Sequence, residues 1–212
     1  MAKRSCVTAL LLLLCAGGLS CKPAPPRPPQ FVVLIVDTSA SVAPLQDSIL
    51  GYAKAALNEY AAKGKMKVTV INLDEAPSVE FQREGVLYEE DVDDIVAHVK
   101  AIDYDAKGTD IIGAFELALR YYGYEKTPPT VVKILCFTDG FAEGPKGTDF
   151  RDWGDHDWSR LGATKASVAV YFVDPRNRDK VEGALGPSAG QYVVKNANDA
   201  LDELQRGEPY LP

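Results

Sequence analysis

Phe31-Val32-Val33-Leu34-Ile35-Val36 runs straight into Asp37-Thr38-Ser39-Ala40-Ser41. Alternate side chains of a strand point to opposite faces of its sheet. An unbroken apolar run rich in Val and Ile therefore predicts a strand covered on both faces. Helices supply such cover, so the run predicts an α/β domain with a largely parallel sheet. The abrupt change to Asp, Thr and Ser marks the carboxyl end of the strand, which is where open α/β sheets bind ligands.

The rest of the chain alternates accordingly. Leu45, Ile49, Ala53, Ala56, Leu57 and Tyr60 form a helical stripe that begins near Pro44 and is stopped by Gly64. Lys67–Leu73 reads as a second strand, and Ser78–Gln82 as a short third, polar enough for a sheet edge. Val92, Ile95, Val96, Val99 and Ile102 place a helix over Glu89–Ile102, and Gly108-Thr109-Asp110 opens another carrying Ile112, Phe115, Leu119 and Tyr122. Val131–Phe137 and Ser167–Val173 are two more continuous buried strands, and Tyr192–Val194 is a short last one before a helix around Ala200, Leu201 and Leu204. Right-handed crossovers between successive strands then put helices on both faces.

Oxygen-bearing side chains collect at three of these element ends: Asp37, Ser39 and Ser41; Thr109; and Asp139 within Thr138-Asp139-Gly140. Ser39 and Ser41 stand two apart in a turn, so both hydroxyls can reach one centre while Ala40 turns away. Neutral hydroxyls with two carboxylates suit a hard cation such as Mg²⁺, or Mn²⁺ or Ca²⁺, which takes oxygen ligands and keeps water. A shell led by hydroxyls leaves the ion electron-poor, so an acidic group from a partner can complete it. Alone, Asp37-x-Ser39-x-Ser41 could equally be a capped turn, since Ser and Asp favour such positions.

Asp37-x-Ser39-x-Ser41, Gly108-Thr109 and Thr138-Asp139-Gly140 together resemble, in order and spacing, the metal-ion-dependent adhesion site of von Willebrand factor A-type domains. The resemblance runs from Phe31 to about Leu204. It implies a doubly wound, mainly parallel six-stranded sheet in the order 3-2-1-4-5-6, with strand 3 antiparallel and helices on both faces. It places the domain over residues 31–206, with a tail over 207–212. It further implies that Ser39, Ser41 and Thr109 contact the metal, and that Asp37 and Asp139 act directly or through water.

Other clusters carry less. Glu89–Asp94 lacks the alternation and glycine turn of a calcium loop, and acidic residues at a helix start stabilise its dipole. His98 falls off the apolar stripe of its helix. Trp153, His156 and Trp158 lie in a loop or short helix after the Asp139 strand and form a candidate ligand surface, because aromatic anchors dominate interfaces. The alternative is that the tryptophans pack beneath the loop. A second metal at His156 is the weaker reading.

The chain of 212 residues is long enough for one substantial domain, and its 46% hydrophobic and 25% charged residues are ordinary globular composition. Lys3 and Arg4, the apolar run Val7–Ala16 and the small residues Gly17, Gly18 and Ser20 form an export signal over 1–20. The run is shorter than the roughly 20 apolar residues of a membrane span. Cys21 and the proline-rich stretch after it resemble a bacterial lipoprotein junction, although Gly18 stands where such signals usually carry leucine. This implies lipidation of Cys21 and an extended linker over 21–30. Cys6 and Cys15 fall in the signal and Cys136 in a strand, so no disulfide framework is expected.

Removing Lys3 and Arg4 leaves 21 basic residues against 30 acidic ones, a net charge near −9, which argues against a nucleic-acid partner. A haloacid-dehalogenase-type phosphohydrolase also begins with an aspartate after an apolar strand, but needs a second aspartate where Ser39 stands. Neither a Gly-x-Ser-x-Gly elbow nor a phosphate loop ending in Gly-Lys-Ser/Thr is expected. The reading is a non-enzymatic, metal-dependent module that binds an acidic side chain of a protein partner. It would be exported and anchored as a periplasmic or cell-surface lipoprotein. A phosphohydrolase and a metal-independent scaffold are the alternatives.

Overall fold

The computed structural model describes residues 28–123, 131–145, 150–188 and 190–212. The expected signal over 1–20, Cys21 and the linker up to residue 27 lie outside the described residues. The strands are β1 (Gln30–Asp37), β2 (Met66–Leu73), β3 (Ser78–Gly85), β4 (Val131–Phe137), β5 (Ser167–Val173) and β6 (Gln191–Asn196). They form one sheet in the order β3-β2-β1-β4-β5-β6. All neighbours are parallel except β2 and β3, so the expected order and the antiparallel edge are both present.

The helices are α1 (Gln46–Ala61), α2 (Glu89–Lys100), α3 (Ile111–Gly123), α4 (Ser159–Thr164), α5 (Arg178–Leu185) and α6 (Ala197–Gln205). Every residue of β1 is buried. Phe31, Val33 and Ile35 enter a core shared with Ile112 and Phe115 of α3, while Val32, Leu34 and Val36 enter a second core with α1 and α2. The unbroken apolar run thus reflects two hydrophobic cores, one on each face of a single strand.

Several boundaries differ from expectation. β3 continues to Gly85, three residues beyond Gln82. Its residues alternate between exposed and half-buried, so only one face is covered and the apolar signal is thin. Helix α3 begins at Ile111 rather than at Gly108, with Asp110 Oδ1 accepting from Gly113 N–H at 2.9 Å. Residues 207–212, expected as a tail, pack on the domain. Tyr60 Oη donates to the Pro212 carbonyl at 3.0 Å, and Tyr171 Oη donates to the Tyr210 carbonyl at 2.6 Å.

Candidate metal centre

β1 lies between β2 and β4, and its crossovers leave in opposite directions, so a crevice opens where β1 and β4 end. Asp37 closes β1, and Asp139 lies just beyond the end of β4. Both therefore reach the same crevice although 102 residues separate them in the chain.

Asp37 is fully buried, and its two oxygens serve different neighbours. Oδ1 accepts from Ser39 N–H at 2.9 Å, which tightens the turn, and Oδ2 accepts from Thr138 Oγ1 at 2.6 Å, which ties β1 to β4. Beyond that turn the Ser39 and Ser41 hydroxyls lie 3.0 Å apart, and Ser41 Oγ donates to Asp139 Oδ2 at 2.7 Å. Asp139 Oδ1 accepts from Phe141 N–H at 3.1 Å. Gly140 takes φ +85°, a left-handed conformation that an L side chain strains to adopt.

Thr109 lines the same cleft of about 660 Å³ and is almost wholly buried. Its N–H donates to the Glu143 carbonyl at 2.5 Å, and the next N–H, of Asp110, donates to the Asp74 carbonyl at 2.8 Å. Gly108 is required by a close approach: a Cβ there would stand 2.7 Å from the Glu143 carbonyl oxygen.

The structure thus brings together all five residues predicted for the metal centre: Asp37, Ser39, Ser41 and Asp139 through a continuous hydrogen-bonded turn, and Thr109 across the cleft. Among the described residues no three His, Cys, Asp or Glu side chains gather as a metal-holding group, and hydroxyl oxygens make up three of the five predicted ligands. The donor set fits a hard cation in that way. Ser39, Ser41 and Thr109 can present lone pairs, with the Ser41 proton directed to Asp139. Asp37, spent on protein donors, can act from beneath. Burial raises the Asp37 pKa from the usual 3.8 to about 6, opposed in part by the Thr138 and Ser39 hydrogen bonds, and the nearby Asp139 adds to the rise. A cation would offset that cost.

Residues beyond the predicted set also build the site. Thr138 is the link between Asp37 and the Asp139 loop, and it accepts from Gly140 N–H at 3.0 Å. Thr38 Oγ1 donates to Asn72 Oδ1 at 2.9 Å, and Asn72 Nδ2 donates to Asp74 Oδ2 at 2.9 Å. That chain ties the Asp37 turn to the segment holding Asp110. The available signal was position alone: Thr138 and Asn72 are polar residues at the ends of apolar strands.

Trp153 and Trp158 are buried and stack on one another with ring centroids 5.4 Å apart, both packed against Phe115. Trp153 Nε1 donates to the Gly140 carbonyl at 3.1 Å, so this indole supports the Asp139 loop from below. Packing beneath the loop therefore describes the two tryptophans, and of the candidate ligand surface only His156 retains partial exposure. The expectation of no Gly-x-Ser-x-Gly is corrected by Gly186-Pro187-Ser188-Ala189-Gly190, which spells it. It lies between α5 and β6, the reverse of the strand-turn-helix order that exposes a nucleophile.

The family model of the von Willebrand factor type A domain matches residues 32–141, more than half of the chain. No curated protein matches. Among solved structures, the PilB minor pilin from Streptococcus sanguinis superposes with a TM-score of 0.61 at 13% identity, covering 87% of this chain and 60% of that one. The pilus adhesin SpaC from Lactobacillus rhamnosus GG gives 0.58 at 10% identity, over 85% and 30%. A von Willebrand factor type A protein from Catenulispora acidiphila gives 0.55 at 15% identity, over 85% and 41%. The chain spans less than two thirds of each of these proteins, and at such identities the likeness is one of fold. With that fold, and with the family model running from β1 through the Asp139 loop, the chain belongs to the von Willebrand factor type A domain family.

Proposed function

We propose that this domain is a divalent-metal-dependent binding module, in which Ser39, Ser41, Thr109 and Asp139 hold Mg²⁺ with Asp37 beneath them. A protein partner supplies an acidic side chain to complete the shell. The observation that carries this reading is the Ser39–Ser41–Asp139 arrangement, with hydroxyl and carboxylate oxygens 2.7–3.0 Å apart at the crevice between β1 and β4, above an Asp37 that accepts from Ser39 N–H. The ion would supply a positive centre that attracts an anionic side chain. The two pilus proteins named above have related folds, which is compatible with a binding role outside the cell. Their own partners are not carried over.

The reading includes export and attachment to a membrane through lipidated Cys21. Among the described residues no helix is long and apolar enough to cross a membrane.

The test is affinity capture from envelope fractions in Mg²⁺ and in chelator, with wild-type protein and Asp139→Ala. A partner retained by wild type only in Mg²⁺, and not by the variant, is expected. The same proteins retained under all conditions would contradict metal dependence. For the anchor, Cys21→Ser is expected to move the protein from the membrane to the soluble fraction.

A further inference from the structure

Beside Asp139 the cleft carries a rigid cation that the metal centre does not use. The loop after β5 is tied to the site: Asp174 N–H donates to the Asp139 carbonyl at 2.9 Å. Arg176, two residues on, is held by the same aspartate, with Nε 2.9 Å from Asp174 Oδ1 and Nη2 2.8 Å from Oδ2. Its guanidinium lies over the Phe141 ring, 5.0 Å from the centroid, and Phe141 N–H in turn donates to Asp139 Oδ1 at 3.1 Å. Arg176 thus sits on a platform fixed at both ends to Asp139, yet its side chain is 76% exposed and lines the cleft with Ser39, Ser41 and Thr109.

An exposed arginine normally loses rotamer freedom when it binds, and one already clamped by a carboxylate and an aromatic ring loses little. The bonds to Asp174 engage Nε and one Nη2 hydrogen, so the Nη1 edge is left for an incoming acceptor among the described residues. Lys107, Asp139, Glu143 and Asp174 are the other charged groups lining the cleft, and of its two cations Arg176 is the one held by both a carboxylate and an aromatic ring.

We infer that Arg176 is a specificity-determining residue that receives a second carboxylate of the partner, beside the one offered to the metal, so that the site selects segments with paired acidic side chains. This rests on the metal-binding reading above. A lone carboxylate would use the ion only, whereas a pair would use the ion and the guanidinium together. The gain comes without new ordering of the protein.

The test is an amide NMR titration of Mg²⁺-loaded protein with acetate, malonate, succinate, glutarate and adipate, which vary the spacing between carboxylates. At least one dicarboxylate is expected to bind about five- to twentyfold more tightly than acetate. In Arg176→Gln that preference should fall to within about twofold while Mg²⁺ and acetate affinities stay unchanged. Arg176→Lys should not restore it, because a point charge lacks the planar fork. No dicarboxylate preference in wild type, or a preference that survives in Arg176→Gln, overturns the inference. Acetate affinity falling as far as dicarboxylate affinity also overturns it, since Arg176 would then hold the same carboxylate as the metal. Absence of Mg²⁺-induced shifts at Ser39, Ser41 and Thr109 overturns the metal reading itself and is read separately.

Discussion

Replacing Asp37 with Asn should make the metal-free protein more stable at neutral pH. Asp37 is fully buried, and its burial raises its pKa from the usual 3.8 to about 6, against the pull of its Thr138 and Ser39 bonds. The gap corresponds to about 3 kcal/mol of preference for the protonated form in the folded state. A carboxyl raised in this way favours folding fully below about pH 4, and that contribution is lost as pH rises through 6. Asn keeps an acceptor for Ser39 N–H and turns an N–H toward Thr138 Oγ1, which can accept it together with the Gly140 N–H. Allowing about 1 kcal/mol for the Thr138 proton that loses its carboxylate, the variant should gain about 1–2 kcal/mol at pH 7 in chelator. For a domain of this size that is about 2–8 °C in Tm. The gain should be gone by pH 3, where wild-type Asp37 is protonated both folded and unfolded and only the lost Thr138 bond counts, against the variant. Mg²⁺ at about one hundred times its Kd should reverse the order at pH 7, because it adds about 2.7 kcal/mol to wild type and little to the variant. Thermal melts at the two pH values, with Mg²⁺ or chelator, give the answer. A variant less stable than wild type in chelator at pH 7, or one equally responsive to Mg²⁺, would show that burial of the Asp37 charge does not cost the fold this stability.

Four further variants have definite expected outcomes. Asn72→Ala removes the link between Thr38 and Asp74. It should weaken Mg²⁺ binding about five- to tenfold by calorimetric titration while moving the chelator Tm by only a few degrees. Gly108→Ala places a Cβ 2.7 Å from the Glu143 carbonyl oxygen and should cost about 1–3 kcal/mol. Gly183→Ala meets open space within α5 and should gain about 0.5–1 kcal/mol, so denaturant melts should separate the two glycines by sign. Trp153→Phe leaves the Gly140 carbonyl without its indole donor and should cost about 1–3 kcal/mol, read by the same melts.

The sheet was legible where it is covered on both faces. β4 and β5 begin and end at the residues expected of them, because Val131–Phe137 and Ser167–Val173 must be apolar at nearly every position. Legibility failed where cover is one-sided or brief. β3 exposes alternate residues to solvent, and its last three positions, Arg83, Glu84 and Gly85, offer no apolar pattern. α5 buries Val181 and Leu185 alone, one helical turn apart, too little for a periodic stripe. In the site, the charged and hydroxyl residues were found because a cation needs those oxygens at element ends. Thr138, Asn72 and the Asp174–Arg176 platform were not, since their roles depend on neighbours that only the strand order brings together. Trp153 could be weighed as a surface or as a support, and burial beneath Gly140 decides it.

One divalent ion is proposed to be held by the Ser39 and Ser41 hydroxyls of the Asp37 turn, the Thr109 hydroxyl ahead of α3 and the Asp139 carboxylate. Anomalous scattering from crystals grown with Mn²⁺ tests it most directly. One strong peak is expected within coordination distance of Ser39 Oγ, Ser41 Oγ and Thr109 Oγ1, and none there in Asp139→Ala crystals. No peak at that position in wild type at millimolar Mn²⁺, or peaks only at surface carboxylates such as those of Glu89–Asp94, would contradict it.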